Sequence, residues 1–215
     1  MKVFYDLDGT LLDSKGEIVY TIQKALEENG FSLSDAVAPI RIGPPLQQIL
    51  LNSYPDGFFK ADDLDKINSS MRRIYDSSDY SMTKPYPGTE EYLIRTRFES
   101  YVLTNKPHSA TDRMIEIKGW SSYFRGIFVP DSSKGESKET ILRSMKLKFP
   151  NERIVMVGDT QNDTGSADKA GVFAVGVLWG EGTKEEVSLH GKCAVAENLA
   201  ELESILSELE HRPVK

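Results

Sequence analysis

Short apolar runs alternate with longer amphipathic segments along the chain. Six runs rich in apolar, β-forming residues lie at positions 3–5, 101–103, 127–129, 154–157, 173–177 and 193–196. Between them lie segments with apolar residues at helical spacing, such as the one that contains Ile141, Leu142 and Met145. Strands that are apolar throughout and alternate with helices are typical of a parallel sheet covered on both faces. The pattern therefore predicts an α/β fold with a doubly wound parallel sheet.

The stretch from residue 14 to residue 83 interrupts this alternation. Ser14 and Glu17 have the spacing of a capping box that opens a helix, and Asn29 followed by Gly30 is typical of a helix end. Apolar residues recur at helical spacing between positions 64 and 75, and the chain returns through a two-proline segment. We therefore predict an α/β core formed by residues 1–13 and 84–215. A small all-helical cap domain, residues 14–83, is inserted after the first strand.

Composition narrows the class of protein. The formal net charge of −7 argues against a nucleic-acid partner, which needs a concentrated basic surface. Cys193 is the only cysteine, so neither a disulfide framework nor a thiolate metal site is expected. No apolar stretch is long enough to span a membrane, and the N-terminus lacks the layout of a signal peptide. We expect a cytoplasmic protein with no membrane partner.

Polar residues follow three of the predicted strands, at the ends where ligands bind in an open parallel sheet. They are Asp6 and Asp8 after the first run, Thr104 and Asn105 after the second, and Asp159 and Asp163 in the segment GDTQND after the fourth. Asp6 and Asp8 are two positions apart, so they point the same way if the strand geometry continues. Two close carboxylates repel each other, and a cation or a proton relay is needed to offset this repulsion. This spacing indicates a site.

The chemistry of this set points to a phosphoryl group beside a hard cation. Carboxylate oxygens with few ligands and room for water suit Mg²⁺. A hydroxyl, an amide and a lysine can hold phosphate oxygens, and a carboxylate such as Asp6 can attack phosphorus as a nucleophile. The lysine would come from the segment SSKGESKETIL, as Lys134 or Lys138. Each residue alone has an ordinary structural interpretation, and it is their joint placement that favours the site.

Four short motifs, in this order, resemble those of the haloacid dehalogenase superfamily of phosphatases and phosphomutases. YDLDGTL matches the first motif, Thr104 and Asn105 the second, Lys138 the third, and GDTQND the fourth. The insertion after the first motif is similar to the helical cap of the phosphoglycolate phosphatase-like subgroup. The segments RIGPPL and VLWG also look like that subgroup. The resemblance covers nearly the whole chain and implies a Rossmann-like core.

The resemblance also implies roles for the acidic residues. Asp6 would be the nucleophile that forms an aspartyl-phosphate. Asp8 would protonate the leaving oxygen and later activate water, as one positioned acid/base group can in two half-reactions. Mg²⁺ would be held by the Asp6 side chain, the Asp8 backbone carbonyl and Asp159, while Asp163 would support these ligands or reach the metal through water.

The resemblance implies further roles for the residues of the second and third motifs. Thr104 and Asn105 would hold phosphate oxygens, and Lys138 would pair with both the nucleophile and the phosphate. The third motif departs from the common family pattern, because no proline follows either Lys134 or Lys138. We prefer Lys138, since it opens the amphipathic helix that follows. For Lys106, the sequence favours a solvated side chain over one that helps to hold an anion.

The cap is expected to select the leaving group, because fold and motifs fix only the chemistry at phosphorus. Gly43 and the two prolines after it predict a stiff loop that could read the substrate. Arg41 is the only cation of that loop. It either pairs with a second anionic group on the substrate or is a solvated arginine beside a structural turn.

The predicted function is a Mg²⁺-dependent phosphatase that hydrolyses a small phosphorylated metabolite, such as a phosphoglycolate-like monoester. A phosphomutase of the β-phosphoglucomutase type shares all four motifs and stays open as an alternative. A phospho-accepting, receiver-like signalling module is a third interpretation, although such domains are shorter and carry the acceptor after a middle strand. A dinucleotide-binding fold is rejected, because no glycine-rich fingerprint follows the first strand. The sequence makes no prediction of the oligomeric state.

Overall fold

The computed structural model describes residues 1–189 and 191–212. Its strands are β1 (Lys2–Tyr5), β2 (Leu12–Asp13), β3 (Lys84–Pro85), β4 (Glu99–Leu103), β5 (Ile127–Phe128), β6 (Ile154–Gly158), β7 (Phe173–Val177) and β8 (Cys193–Ala196). Its α-helices are α1 (Lys15–Glu28), α2 (Leu46–Ser53), α3 (Ala61–Ser77), α4 (Thr89–Arg95), α5 (His108–Ile117), α6 (Lys138–Lys148), α7 (Gln161–Ala170), α8 (Lys184–Val187) and α9 (Leu199–His211). None of these helices combines the length and the apolar character that crossing a membrane requires, within the described residues. His190 and residues 213–215 of the predicted core lie outside that part of the chain.

A six-stranded parallel sheet forms the centre of the protein, in the order β5-β4-β1-β6-β7-β8. Tyr5 of β1 pairs with Val102 of β4 on one side and with Val157 of β6 on the other. The six apolar runs of the sequence are these six strands, so the predicted α/β fold with a doubly wound parallel sheet is confirmed. The strand order reverses beside β1, and ligands bind at such a point, beyond the carboxyl ends of the strands.

Alternating residues of β1 pack into the two apolar layers of the protein. Val3 and Tyr5 belong to a large cluster that extends into the cap, whereas Phe4 belongs to a smaller cluster with Leu142 and Met156. All four residues of β1 are buried. A strand that is covered on both faces holds its own end rigidly, and Asp6 is the first residue beyond that end.

The predicted cap, residues 14–83, contains α1, α2 and α3. The helices α1 and α3 pack against each other, and Leu26 and Ile67 are fully buried. Both ends of the cap are tied together, because Asp13 of β2 pairs with Lys84 of β3 in a two-stranded antiparallel sheet. The chain therefore leaves the core at Asp13 and returns to it at Lys84, and these two points are adjacent in space.

The helix α1 begins directly after Ser14, as predicted, but its first turn is not a capping box. The Ser14 hydroxyl donates to Asp8 Oδ1 at 2.6 Å and makes no bond to the helix backbone. The Glu17 carboxylate accepts instead from the backbone N–H of Met82, at 3.1 Å. The predicted capping box is therefore wrong, because both of its side chains bond to residues outside the helix.

Candidate active site

The turn after β1 carries the first two aspartates. Asp6 continues the strand ladder, with its backbone N–H donating to the Val157 carbonyl at 2.9 Å. The side chains of Asp6 and Asp8 are both buried and line the same cavity. Gly9 has a φ of +82°, and a Cβ atom there would lie 2.2 Å from Asp159 Oδ2. Only glycine allows the turn to pass so close to that carboxylate.

The other predicted site residues come from several parts of the sheet. Thr104 and Asn105 follow β4, Lys138 is the first residue of α6, Asp159 follows β6, and Asp163 lies in the first turn of α7. Thr104, Asn105 and Lys138 line the same cavity as Asp6 and Asp8. The residues singled out at successive strand ends therefore meet at one place in the fold.

Lys138 lies between two carboxylates. Its Nζ atom is 2.9 Å from Asp6 Oδ1 and 2.6 Å from Asp163 Oδ1, and its side chain is buried. Burial alone would lower the pKa of Lys138, but Asp163 and Asp6 outweigh burial and raise it above its ordinary value. Lys134, by contrast, has a side chain that is 73% exposed and pairs with Asp131 at 3.0 Å. Of the two candidate lysines, it is Lys138 that lies at the site.

Three buried carboxylates crowd together beside this lysine. Oxygens of Asp6, Asp159 and Asp163 lie within 4.8 Å of one another. Burial raises the pKa of Asp6 to about 7, against the opposing effect of Lys138. Burial also raises the pKa of Asp159 to about 8, with further contributions from Asp163 and Asp6. The folded protein therefore favours the protonated forms of both groups at pH values where they would be ionised in water.

Donors occupy both oxygens of the Asp163 carboxylate, and one of these donors is Lys138. Lys138 donates to Oδ1 at 2.6 Å, and the Thr160 backbone N–H and hydroxyl donate to Oδ2 at 3.1 and 2.6 Å. Thr160 is the N-cap residue of α7, so the same contacts fix the start of that helix. Asp163 thus helps to hold Lys138 in place beside Asp6.

These carboxylates fit a divalent cation such as Mg²⁺. Asp6 Oδ1 receives no hydrogen bond within residues 1–189 and 191–212, although Lys138 Nζ forms an ion pair with it at 2.9 Å. The side-chain atoms that could bind the cation are all oxygens, which hard cations prefer as ligands. The buried charged groups of the site are four aspartates and two lysines, namely Asp6, Asp8, Asp159, Asp163, Lys106 and Lys138. With all of them ionised, a doubly charged cation would balance the remaining negative charge.

The raised pKa values predict how a metal should affect stability. In the unfolded chain these aspartates have pKa values near 3.8, whereas in the folded protein they rise to about 7 for Asp6 and about 8 for Asp159. Between these limits the folded state binds protons that the unfolded state has released, so metal-free protein should lose stability as the pH rises. A cation binds the ionised forms. We therefore expect Mg²⁺ to raise the Tm more at about pH 8 than at about pH 5.

Thermal unfolding in chelator and in Mg²⁺ at both pH values measures this effect. Asp159→Asn is the test variant, because it removes one of the carboxyl groups whose pKa is raised. It should weaken both the pH dependence of the Tm and the increase in Tm that Mg²⁺ causes. Asp131→Asn, at an exposed carboxylate, serves as the control. An equal Mg²⁺ effect at both pH values would count against these carboxylates as the metal ligands.

Lys106 is a site residue that the sequence did not identify. Its side chain is buried, and Nζ lies 2.9 and 3.0 Å from the two carboxylate oxygens of Asp8. The expectation of a solvated lysine is therefore wrong. The available signal was its position, two residues after Thr104 at the end of a central strand. Helical and strand periodicity does not reveal a partner that lies 98 positions earlier in the chain.

Gly43 and Arg41 belong to the same loop of the cap, but only Gly43 of the two lines the cavity. Gly43 lines the cavity, and its carbonyl accepts a hydrogen bond from Asn105 Nδ2 at 2.9 Å. Arg41 Nη1 pairs instead with Glu186 Oε1 at 2.6 Å, its side chain is 59% exposed, and it does not line this cavity. This departs from the expectation that Arg41 faces the substrate, because the core carboxylate of α8 holds the guanidinium elsewhere. The α3 residue Arg72 lines the cavity.

The cavity beside Asp6 and Asp8 has a volume of about 400 Å³, and the cap forms one of its walls. That wall is mainly apolar and contains Ile18, Ile42, Leu46, Ile49, Leu64 and Met71. The core contributes the remaining lining residues, most of which are charged or polar. Concave sites of this size with a few convergent polar groups suit small organic ligands.

Comparison with known proteins points to one family. The model of the family "Haloacid dehalogenase-like hydrolase" matches residues 3–177. A 5′-nucleotidase from Pseudomonas aeruginosa is 28% identical over 210 residues, which cover 95% of this chain and 94% of that protein. A phosphoglycolate phosphatase from Cereibacter sphaeroides is 29% identical over 181 residues, which cover 79% and 81%. The crystal structure of a predicted phosphatase from Clostridium acetobutylicum has a TM-score of 0.83 at 24% identity, covering 96% of this chain and 98% of that one.

The family match runs from β1 to β7, so all four motifs lie within it. The similarity to the solved structure concerns the fold alone. The resemblance to this superfamily, and within it to the phosphoglycolate phosphatase-like proteins, is confirmed. The chain therefore belongs to the haloacid dehalogenase-like hydrolase family.

Proposed function

We propose that this protein is a Mg²⁺-dependent phosphoric monoester hydrolase that acts on a small phosphorylated metabolite through an aspartyl-phosphate on Asp6. The observation that carries the proposal is the Asp6 carboxylate, which lines a ligand-sized cavity with a buried lysine 2.9 Å from one oxygen. Membership of a hydrolase family supports the reaction class. Relatives named phosphoglycolate phosphatase and 5′-nucleotidase support a phosphomonoester as the substrate.

The proposed reaction has two half-reactions. In the first, an Asp6 oxygen attacks phosphorus, the bond from phosphorus to the leaving oxygen breaks, and Asp8 donates a proton to that oxygen. In the second, Asp8 takes a proton from water and the resulting hydroxide attacks phosphorus. The bond from phosphorus to the Asp6 oxygen then breaks, so that inorganic phosphate leaves and the Asp6 carboxylate is restored. The buried positions of both carboxylates limit the access of bulk water, and Lys138 partly offsets the negative charge of Asp6 as the phosphate approaches.

Thr104 and Asn105 are proposed to hold the phosphate oxygens. The Thr104 hydroxyl oxygen accepts from the Lys106 backbone N–H at 3.2 Å, which leaves the hydroxyl proton free to donate into the cavity. Asn105 uses one amide N–H for the Gly43 carbonyl, and its second N–H stays available. Lys138 would add a charged donor, so three types of donor would converge on one phosphoryl group.

The proposed metal ligands are the side chains of Asp6 and Asp159 and the backbone carbonyl of Asp8, with Asp163 in support. Bound Mg²⁺ would supply positive charge that offsets the repulsion between the nucleophile and a phosphate dianion. The protein's own part is to hold these carboxylates in place. Thr10 donates to Asp159 Oδ1 at 3.0 Å, and the backbone N–H of Glu181 donates to Oδ2 at 2.8 Å.

The cap wall of the cavity bears on the choice of leaving group. Its apolar residues suit the organic part of a metabolite, and Arg72 could pair with a carboxylate such as that of a phosphoglycolate-like monoester. We propose that these residues, rather than Arg41, contact the leaving group. The cytoplasm remains the proposed location, since small phosphorylated metabolites are the proposed partners.

The test is a screen of purified protein for phosphate release in Mg²⁺. The substrates are 4-nitrophenyl phosphate, phosphoglycolate and nucleoside 5′-monophosphates. We expect turnover that chelator abolishes and that Ca²⁺ does not restore, because Ca²⁺ takes more ligands at longer distances. Transfer of the phosphoryl group to a sugar hydroxyl without phosphate release would indicate a phosphomutase. A single phosphorylation without turnover would indicate a receiver-like module, and either result would overturn the proposal.

A further inference from the structure

Lys106 connects the candidate acid/base residue of the core to the cap. Its Nζ atom donates to Asp8 Oδ1 at 2.9 Å, to Asp8 Oδ2 at 3.0 Å and to the Tyr75 hydroxyl oxygen at 3.0 Å. An ammonium group has three N–H donors, so these contacts use all of them. Asp8 and Lys106 belong to the core, whereas Tyr75 lies near the end of α3 in the cap. One lysine thus joins two separate parts of the chain.

All three side chains are buried, and all three line the cavity. Asp8 is 8% exposed, Lys106 6% and Tyr75 5%. A buried ammonium group is costly unless every donor finds an acceptor, so the position of Lys106 depends on both of its partners. Loss of the Tyr75 hydroxyl would leave one N–H without its acceptor. The lysine could then move away from Asp8 towards another acceptor.

Two further hydrogen bonds hold this group, one from the first residue of the cap and one from within the core. The Ser14 hydroxyl donates to Asp8 Oδ1 at 2.6 Å, and the Thr111 hydroxyl donates to the Lys106 carbonyl at 3.1 Å. These contacts fix the Asp8 side chain and the Lys106 backbone. The direction of the lysine side chain is the part that α3 controls, through Tyr75.

The contact pattern also indicates which half-reaction depends on it. The Lys106 ammonium group donates to both carboxylate oxygens of Asp8 and so fixes the direction of that carboxylate. Asp8 needs a fixed direction to take a proton from water, which is its proposed task when the phosphoenzyme is hydrolysed. In the first half-reaction an activated aryl leaving group departs without needing a proton. The lysine therefore matters most in the second half-reaction for such a substrate.

We propose that Lys106 positions the Asp8 carboxylate for hydrolysis of the phosphoenzyme. We also propose that Tyr75 makes this positioning depend on how the cap packs against the core. This inference rests on the proposed function, because it assigns a role within the second half-reaction. Lys106 and Tyr75 are positioning residues, which act on the reaction through Asp8. The packing of α3 against the core thereby determines the orientation of Asp8, the residue that completes turnover.

Tyr75→Phe tests this coupling, because it removes one hydroxyl and keeps the ring. In a two-step mechanism, slowing only the second step lowers kcat and KM together and leaves kcat/KM unchanged. For 4-nitrophenyl phosphate we expect kcat and KM to fall about 10-fold in Tyr75→Phe and about 10²-fold in Lys106→Met. A rapid release of nearly one 4-nitrophenolate per enzyme should precede the slow steady state in both variants.

Tyr54→Phe is the matched control. Tyr54 is another buried tyrosine of the cap, 3% exposed, and its hydroxyl donates to the Ser32 carbonyl at 2.9 Å, entirely within the cap. It should cost similar stability but leave kcat, KM and the first turnover unchanged. A fall in kcat/KM as large as the fall in kcat, with no rapid first release, would overturn the inference for Tyr75. Failure of the proposed function would look different, because the wild-type protein would then release no phosphate with Mg²⁺.

Discussion

Replacing Asp6 with asparagine is expected to abolish turnover without lowering the thermal stability of the fold. An amide has nearly the same shape as the carboxylate but cannot serve as the nucleophile whose oxygen bonds to phosphorus. The fold itself does not favour the ionised side chain, because burial raises the pKa of Asp6 to about 7. A neutral substitute therefore removes a buried charge that the protein holds at a cost, so the Tm in chelator should be unchanged or higher.

Phosphate release and thermal unfolding should be measured for Asp6→Asn beside Asp131→Asn. Asp131 is an exposed carboxylate paired with Lys134, so its loss should change neither result. Denaturation of rapidly quenched reactions can show whether phosphate is attached to the protein during turnover. Asp6→Asn should lack that phosphoprotein. If Asp6→Asn turned over like the wild type, the covalent route through this residue would have to be abandoned.

Lys138→Met should lower kcat/KM by about 10³-fold, whereas Lys134→Met should leave it within about twofold. Lys138 is buried between Asp6 and Asp163, where solvent does not screen its charge. Its removal leaves these carboxylates to repel each other and an incoming phosphate. Lys134 has a side chain that is 73% exposed, and its pairing with Asp131 is screened by water. Methionine has nearly the same length as lysine, so the comparison isolates the charge.

Steady-state kinetics of both lysine variants decides between the two residues. Circular dichroism and thermal unfolding should accompany the kinetics, because loss of a cation from a buried cluster also destabilises the fold. Lys138→Arg is the second variant if Lys138→Met does not fold, since it retains the charge but changes the geometry around Asp6 and Asp163. Equal losses for Lys134→Met and Lys138→Met would show that the assignment of the lysine is wrong.

Much of the architecture could be predicted because it depends on local patterns. Each of the six strands contains an apolar run, and such runs alternating with helical segments are typical of strands covered on both faces. Once these strands are parallel, their carboxyl ends must lie together. The close approach of Asp6, Asp159 and Asp163 follows from that geometry, although their positions along the chain are far apart. Local patterning and parallel topology were sufficient for this part of the site.

Side-chain partners from distant segments could not be predicted in the same way. Arg41 and Glu186 are 145 positions apart, and their pairing depends on how the cap lies against the core. Lys106 is buried for a similar reason, since its acceptors on Asp8 and Tyr75 lie 98 and 31 positions earlier in the chain. No periodicity connects such residues. A lysine next to a turn has the same local sequence signature whether it is solvated or buried.

The paired strands β2 and β3 have a consequence for building chimeric proteins. Because Asp13 and Lys84 are neighbours, another helical segment could be grafted between them without changing any strand of the central sheet. The graft would need two anchoring groups at the seam. One is a hydroxyl that reaches Lys106, as Tyr75 does now, and the other is a carbonyl that reaches Asn105, as Gly43 does. A library of grafts selected on these two anchors should diversify substrate preference while the hydrolytic residues stay untouched.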